Sequence, residues 1–302
     1  MRDRYLKQVQ LLVDILPAIA DEDVFALKGG TAINLFYRDM PRLSVDIDLS
    51  YLPIQNREMS LAGINHAMGR IAETGGVGNM RASRITGGGG GATRVLFERG
   101  TAIVKVETSP VIRGVVFKPD RRRVSPAVEH AFGFAETTIV SFEDLYAGKI
   151  VAALDRQHPR DLFDIKQLYE NEGLTSDLFR AFLIYIASSG RPPHELLNPN
   201  QRNLETVFAK EFDGMTLLPV TVLELQAARD TLIKDIRSRL SGNIAEYLRG
   251  LAHGEPDFNI IGLPEARDLP AIKWKLQNIA VLKKRNYAKQ CEQVVLLEQL
   301  LS

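Results

Sequence analysis

Asp46 and Asp48 stand two residues apart in LSVDIDLS, where Leu43, Val45, Ile47 and Leu49 alternate with Ser44, Asp46, Asp48 and Ser50. Such alternation predicts a half-buried strand, on which residues two apart point the same way with Cα atoms roughly 6.5–7 Å apart. The two carboxylates then project side by side and repel. A divalent cation between them relieves the repulsion. Mg²⁺ suits the pair, because it takes one or two carboxylates, keeps some water and draws its other ligands from substrate phosphates; Mn²⁺ is the alternative ion. Glu107 lies in TAIVKVETS, a second alternating stretch with Lys105 on the same face. It can supply the third carboxylate of a two-metal phosphoryl or nucleotidyl transfer site.

Upstream of the pair, Gly29-Gly30-Thr31 joins a strand pattern, VFALK, to a helical one, TAINLFYR. Unpaired backbone N–H groups and the helix dipole favour phosphate at such a start, glycines let the backbone approach, and Thr31 offers a hydroxyl donor. A plainer reading also fits: a tight turn, a helix capped by Thr31, and Asp46 and Asp48 on the wet face of an edge strand. Further on, Lys149 sits inside the apolar helical pattern SFEDLYAGKIVAAL, where a buried ammonium is costly unless an anion meets it. A triphosphate would be that anion; a lysine snorkelling to the surface is the other reading. In PRDLFDIKQLYENEG, Arg160 and Asp164 are spaced for a surface salt bridge, whereas Asp161 reads as a site residue orienting an attacking hydroxyl or Lys149, with Arg160 near phosphate and Asp164 structural.

These residues need scaffolding, and the chain supplies it in two parts. The opening DRYLKQVQLLVDILPAIAD is an amphipathic helix predicted to stop near Pro17. A helix is expected from Met59 to Glu73, then two or three strands between residues 81 and 109. The glycine run from Gly87 to Gly91 has no Lys-Ser/Thr after it and lies between strand patterns, so it reads as a flexible hairpin connection and not a phosphate loop. From Ser141 the pattern is helical, ending in one long helix after Leu269. The expectation is an α+β chain: a mixed sheet flanked by helices over 1–140, then a mainly helical part over 141–302.

Composition narrows the partners. Lysine plus arginine (38) nearly cancels aspartate plus glutamate (37) in 302 residues, so a nucleic-acid partner needs a local basic patch. Two candidates exist: Arg121 to Arg123, read as a loop, and Lys273, Lys275, Lys283, Lys284, Arg285 and Lys289. Each is either a solvated face or an RNA contact. One cysteine, Cys291, excludes an internal disulfide framework and a cysteine-rich metal site. The histidines lack ligand spacing, and Trp274 is expected to pack. No apolar run has signal-peptide or membrane-spanning length, which predicts a cytoplasmic protein without a membrane partner.

GGTAINLFYRDMPRLSVDIDL, with an arginine and a serine just before Asp-x-Asp, resembles the first motif of the AbiEii/AbiGii toxin family, a branch of the nucleotidyltransferases with the polymerase-beta-like fold. Glu107 in VKVE resembles the family's third acidic strand position, Lys149 its helix lysine, and Arg160, Asp161 and Asp164 its Arg-Asp-x-x-Asp motif; LPAIKWKLQNIAVLKK is also similar to the tails of relatives. The likeness is strong over 27–50 and 141–168 and thin over 175–265. Threonine follows the glycine pair where serine is common, and the third acid is glutamate where the wider superfamily has aspartate.

The resemblance implies an NTP-dependent nucleotidyltransferase, the toxin of a type IV toxin-antitoxin pair, linked in some relatives to phage defence. Some members add pyrimidine nucleotides to the acceptor end of tRNA. The expected catalytic residues are Asp46, Asp48, Lys149 and Asp161; the nucleotide ligands Gly29, Gly30, Thr31, Lys149 and Arg160; the metal ligands Asp46, Asp48 and Glu107. Lys149 and the Arg-Asp-x-x-Asp motif would reach a cleft from the helical lobe. The expected partners are an NTP, an RNA acceptor at its tRNA 3′ end and a cognate antitoxin. Phosphoryl or nucleotidyl transfer to a protein acceptor is the alternative, and a non-catalytic nucleotide-binding module a further one, against which the intact set of Asp46, Asp48, Glu107 and Lys149 argues.

Overall fold

A computed structural model describes residues 2–87 and 91–302. Of the apolar face expected on helix α1 (Arg2–Ala20), Val9, Leu12, Val13 and Leu16 are buried but Leu6 is exposed, and the helix runs through Pro17. Proline removes one helical hydrogen bond; the burial of Ile19 in the turn beyond it holds the helix together. The chain divides into two compact units, residues 1–141 with Met215–Leu218, and residues 142–214 with 219–302.

The first unit is built on a seven-stranded mixed sheet in the order β3-β4-β5-β2-β1-β7-β6. Its strands are β1 (Phe25–Lys28), β2 (Asp46–Tyr51), β3 (Arg81–Gly87), β4 (Gly91–Arg99), β5 (Ala102–Arg113), β6 (Asp120–Arg123) and β7 (Glu136–Ile139). Strand β2 is the middle one, antiparallel to β1 and parallel to β5, with Ile47 and Leu49 fully buried. The carboxylate pair therefore does not lie on an edge strand. Gly87 pairs with Gly91 across the antiparallel β3 and β4, and the three glycines between them, the middle of the expected hairpin connection, lie outside the described residues. Arg121, Arg122 and Arg123 form the edge strand β6, not a loop, because their backbone pairs with Thr138, Thr137 and Glu136 of β7.

Around the sheet lie α2 (Gly29–Ala32), continued by a π-helical turn at Ile33–Tyr37, and α3 (Arg57–Glu73), whose first turn Asn56 caps through Met59 N–H. Helix α4 (Pro126–Phe132) leads into β7. Residues Met215–Leu218 add a two-rung antiparallel pair: Leu43 N–H donates to Met215 O and Leu217 N–H to Pro41 O, both at 2.9 Å.

The second unit is helical: α5 (Phe142–Asp155), α6 (Pro159–Asn171), α7 (Ser176–Ser188), α8 (Pro193–Leu197), α9 (Glu205–Glu211), α10 (Val222–Ser238), α11 (Gly242–His253), α12 (Pro270–Arg285) and α13 (Tyr287–Leu301). Helix α7 is apolar nearly all round, with Phe182, Leu183, Ile184 and Ile186 fully buried, the signature of a central helix. The expected long final helix is two helices. Asn286 leaves helical geometry, and its side chain accepts from Lys289 N–H to start α13. Among the described residues no helix is long and apolar enough to cross a membrane.

Candidate active site

Register places four charged side chains in a row on one face of the sheet. Lys28 of β1 is opposite Asp48 of β2, Asp48 opposite Glu107 of β5, and Glu107 opposite Arg94 of β4. One step along, Asp46 faces Lys105. The row reads cation, anion, anion, cation, so the acids of the central strands are flanked by compensating charge. Burial pushes the Lys28 ammonium below its ordinary pKa, while Asp48 and Glu107 oppose that shift.

Glu107 is already engaged. Lys105 Nζ lies 3.0 Å from its Oε1 and Arg94 Nε 3.1 Å from its Oε2. Among the described residues no three His, Cys, Asp or Glu side chains converge as a metal-binding group. Glu107 shares the face with Asp46 and Asp48, and its oxygens are turned to two cations. Asp46 and Asp48 remain as a carboxylate pair on one face.

The glycine turn touches that pair. Gly29 has φ +80°, a conformation side-chain-bearing residues rarely adopt, and a Cβ there would stand 2.4 Å from Asp48 Oδ2. The Asp48 carboxylate therefore lies directly against the helix start. Thr31 is buried, and its hydroxyl donates to the backbone carbonyl of Asp46, with Ser44 Oγ 3.2 Å away. Thr31 thus ties the turn to the Asp-x-Asp strand and does not cap the helix. No side chain caps α2. The buried Asn34 donates to Gly30 O at 2.7 Å and accepts from Arg42 N–H at 3.3 Å.

In the helical unit, His158 Nδ1 accepts from Arg160 N–H and caps α6, and Asp161 follows in the first turn. Asp161 and Asp164 are one helical turn apart and both meet the same ammonium: Lys149 Nζ lies 2.9 Å from Asp161 Oδ1 and 3.0 Å from Asp164 Oδ2. Arg156 adds a fork, Nε at 2.5 Å from Asp161 Oδ2 and Nη2 at 2.9 Å from Oδ1. Burial pushes the Asp161 pKa up, but Lys149 and Arg156 outweigh it and hold the carboxyl well below the usual range. Two carboxylates, Asp161 and Asp164, meet the buried Lys149 ammonium, and Asp164 pairs with Lys149 and not with Arg160. Among the described residues the Arg160 guanidinium has no hydrogen-bond or ion-pair partner.

The sequence profile described as "Nucleotidyl transferase AbiEii toxin, Type IV TA system" matches residues 10–278. The chain belongs to the AbiEii toxin family. It is a nucleotidyltransferase toxin of the type IV toxin-antitoxin class, with an NTP substrate and an antitoxin partner. MenT4, a nucleotidyltransferase toxin from Mycobacterium tuberculosis, is similar in fold: the TM-score is 0.57 at 14% identity, over 91% of this chain and 93% of that one. No curated protein matched.

Beside the candidate residues of each unit of this AbiEii toxin, several residues escaped the sequence reading. Lys28 carried a signal, a lysine at a strand end immediately before the glycine pair; Arg156, Arg94 and Asn34 carried none, since their partners are set by register and packing. The basic stretch near the C-terminus also shrinks. Lys275 is buried and donates to Ser189 O and Arg191 O, and Lys273 pairs with Asp268 at 3.0 Å. Lys283, Lys284, Arg285 and Lys289 stay exposed, and Trp274, expected to pack, faces solvent. A cavity of about 490 Å³ in the helical unit, lined by Arg191, His194, Asn200 and Arg202 among others, includes none of the expected site residues.

Proposed function

We propose that this toxin transfers a nucleotide from an NTP to an RNA acceptor, the 3′ end of tRNA, at a site centred on Asp46, Asp48 and the Gly29-Gly30 turn. The observation that carries this reading is the contact of the Asp48 carboxylate with Gly29: the acidic strand and an uncapped helix start form one surface. Two hard oxygen donors on one face fit a divalent ion such as Mg²⁺, held by Asp46 and Asp48, with phosphate and water completing its ligands. When bound, the ion would neutralise triphosphate charge and act as a Lewis acid. Glu107, paired with two cations, is left to set the charge of the face.

The chain's own groups do the rest. Backbone N–H groups of Gly29 and Gly30 receive phosphate oxygens at the positive end of the helix. Within the helical unit, Arg160, without an internal partner, is a guanidinium proposed to take phosphate, and Lys149 a cation whose place Asp161 and Asp164 fix. The acceptor hydroxyl attacks the α-phosphorus, and pyrophosphate leaves. A role in phage defence follows from growth arrest by such RNA modification.

Incubation with each α-labelled and γ-labelled NTP plus total RNA tests the reaction. Label should enter RNA from the α-position alone, and Asp48→Ala should reduce incorporation about a hundred- to a thousandfold, as loss of one transition-state contact does. Wild-type activity in that variant removes the site. Label passing to protein from the γ-position would show phosphoryl transfer. Expression of the wild-type chain alone should arrest growth, and the Asp48→Ala chain should not.

A further inference from the structure

We infer that Met215–Leu218 is a strap that sets the phosphate-receiving turn through Arg42. This rests on the proposed role of Gly29 and Gly30 and names what holds them. The strap comes from the helical half of the sequence, between Gly214, in a positive-φ conformation, and Pro219, yet it belongs to the sheet unit. Its two backbone bonds bracket Arg42, which bridges Thr216. Arg42 is only 3% exposed; its Nη1 donates to Leu43 O at 2.9 Å, and its Nη2 lies so near Gly30 that a Cβ there would stand 2.6 Å away. Asn34 closes the circuit, holding both Arg42 N–H and Gly30 O.

The strap does not exist to bury surface. Leu217 and Leu218 are 60% and 79% exposed, so little apolar area leaves water when it docks. What the pairing fixes is the backbone of residues 41–43, and with it the guanidinium that fills the space beside Gly30. A turn that aims two N–H groups at a phosphate depends on position, and a displacement of about 1 Å in such a group is felt strongly in function. Arg42 is therefore a positioning residue, buried behind the turn.

Leu217→Pro removes the N–H that Pro41 accepts, and Arg42→Lys keeps the charge but loses the fork. Equilibrium binding of the four α-labelled NTPs, each in turn, to the full chain is measured beside the melting temperature, with Gly30→Ala for comparison. The expected result is about tenfold weaker NTP binding in Leu217→Pro and Arg42→Lys with the melting temperature kept, since a merely structural loss would lower melting without changing the affinity of the folded fraction. Should only Gly30→Ala weaken binding, the strap inference is overturned and the turn reading stands. Unchanged binding in all three variants removes the turn reading and the inference together. If Leu217→Pro does not fold, Arg42→Lys decides: unchanged affinity overturns the strap.

Discussion

Asp161 gathers an ammonium and a guanidinium fork around one buried carboxylate, and that concentration makes its loss costly to the helical unit. Asp161→Asn leaves Lys149 with Asp164 alone and turns a donor toward two cations. Breaking a buried pair on one side costs about 3–5 kcal/mol, so denaturant titration should show a loss of that order. The pH dependence has a definite sign. Asp161 has a depressed folded pKa, so its contribution is present in full above the unfolded value of about 3.9 and is lost as pH falls below it. The acid limb of the stability curve should flatten in Asp161→Asn, and an unchanged limb would show that other carboxylates dominate it.

Elements carry the next set of consequences. Asn286 ends one helix and starts another, and Asn286→Ala should lower stability by about 1 kcal/mol, read by denaturant titration, as loss of an N-cap does. Strand β6 closes one edge of the sheet with three arginines, two of which, Arg121 and Arg123, pair with Glu136. Charge on an open edge discourages strand addition by other chains. Arg121→Ser with Arg123→Ser should raise light scattering at high concentration while leaving nucleotide incorporation per folded molecule unchanged. A drop in RNA binding without aggregation would instead make β6 an RNA contact. The Asp-x-Asp strand and the glycine turn were legible because alternation and Gly-Gly are local signals. Strand β6 was not, since DRRR has no apolar alternation and is a strand only through its pairing with β7. Helix α1 passes Pro17, and Lys275 is buried, for the same kind of reason: distant packing partners outweigh what the local stretch prefers.

At the scale of the whole molecule, a net charge of +1 leaves RNA binding to local patches. Of the C-terminal candidates, Lys283, Lys284, Arg285 and Lys289 remain exposed. If they contact RNA phosphates, replacing all four by glutamate should weaken RNA binding and flatten its salt dependence, because each lost phosphate contact removes roughly 0.7 from the slope for a single strand. An unchanged slope would make the stretch a solvated face. The family, and the strand, turn and helices that carry the candidate residues, were legible from motifs in the sequence halves taken separately. The return of Met215–Leu218 to the sheet unit was not, because two backbone bonds formed between residues far apart in sequence leave no periodic trace.

Trp274 is the only tryptophan in the chain and is 59% exposed on α12, the helix that also carries Lys283, Lys284 and Arg285. The intrinsic indole fluorescence of this protein is therefore a single-site signal with a water-exposed, red-shifted emission. It reads out one helix without any label, and stacking by an unpaired base or cover by a protein partner at that helix would quench it or move it to the blue. Titrating tRNA or purified antitoxin against the native chain and following that one band separates partners that occupy α12 from partners that bind elsewhere.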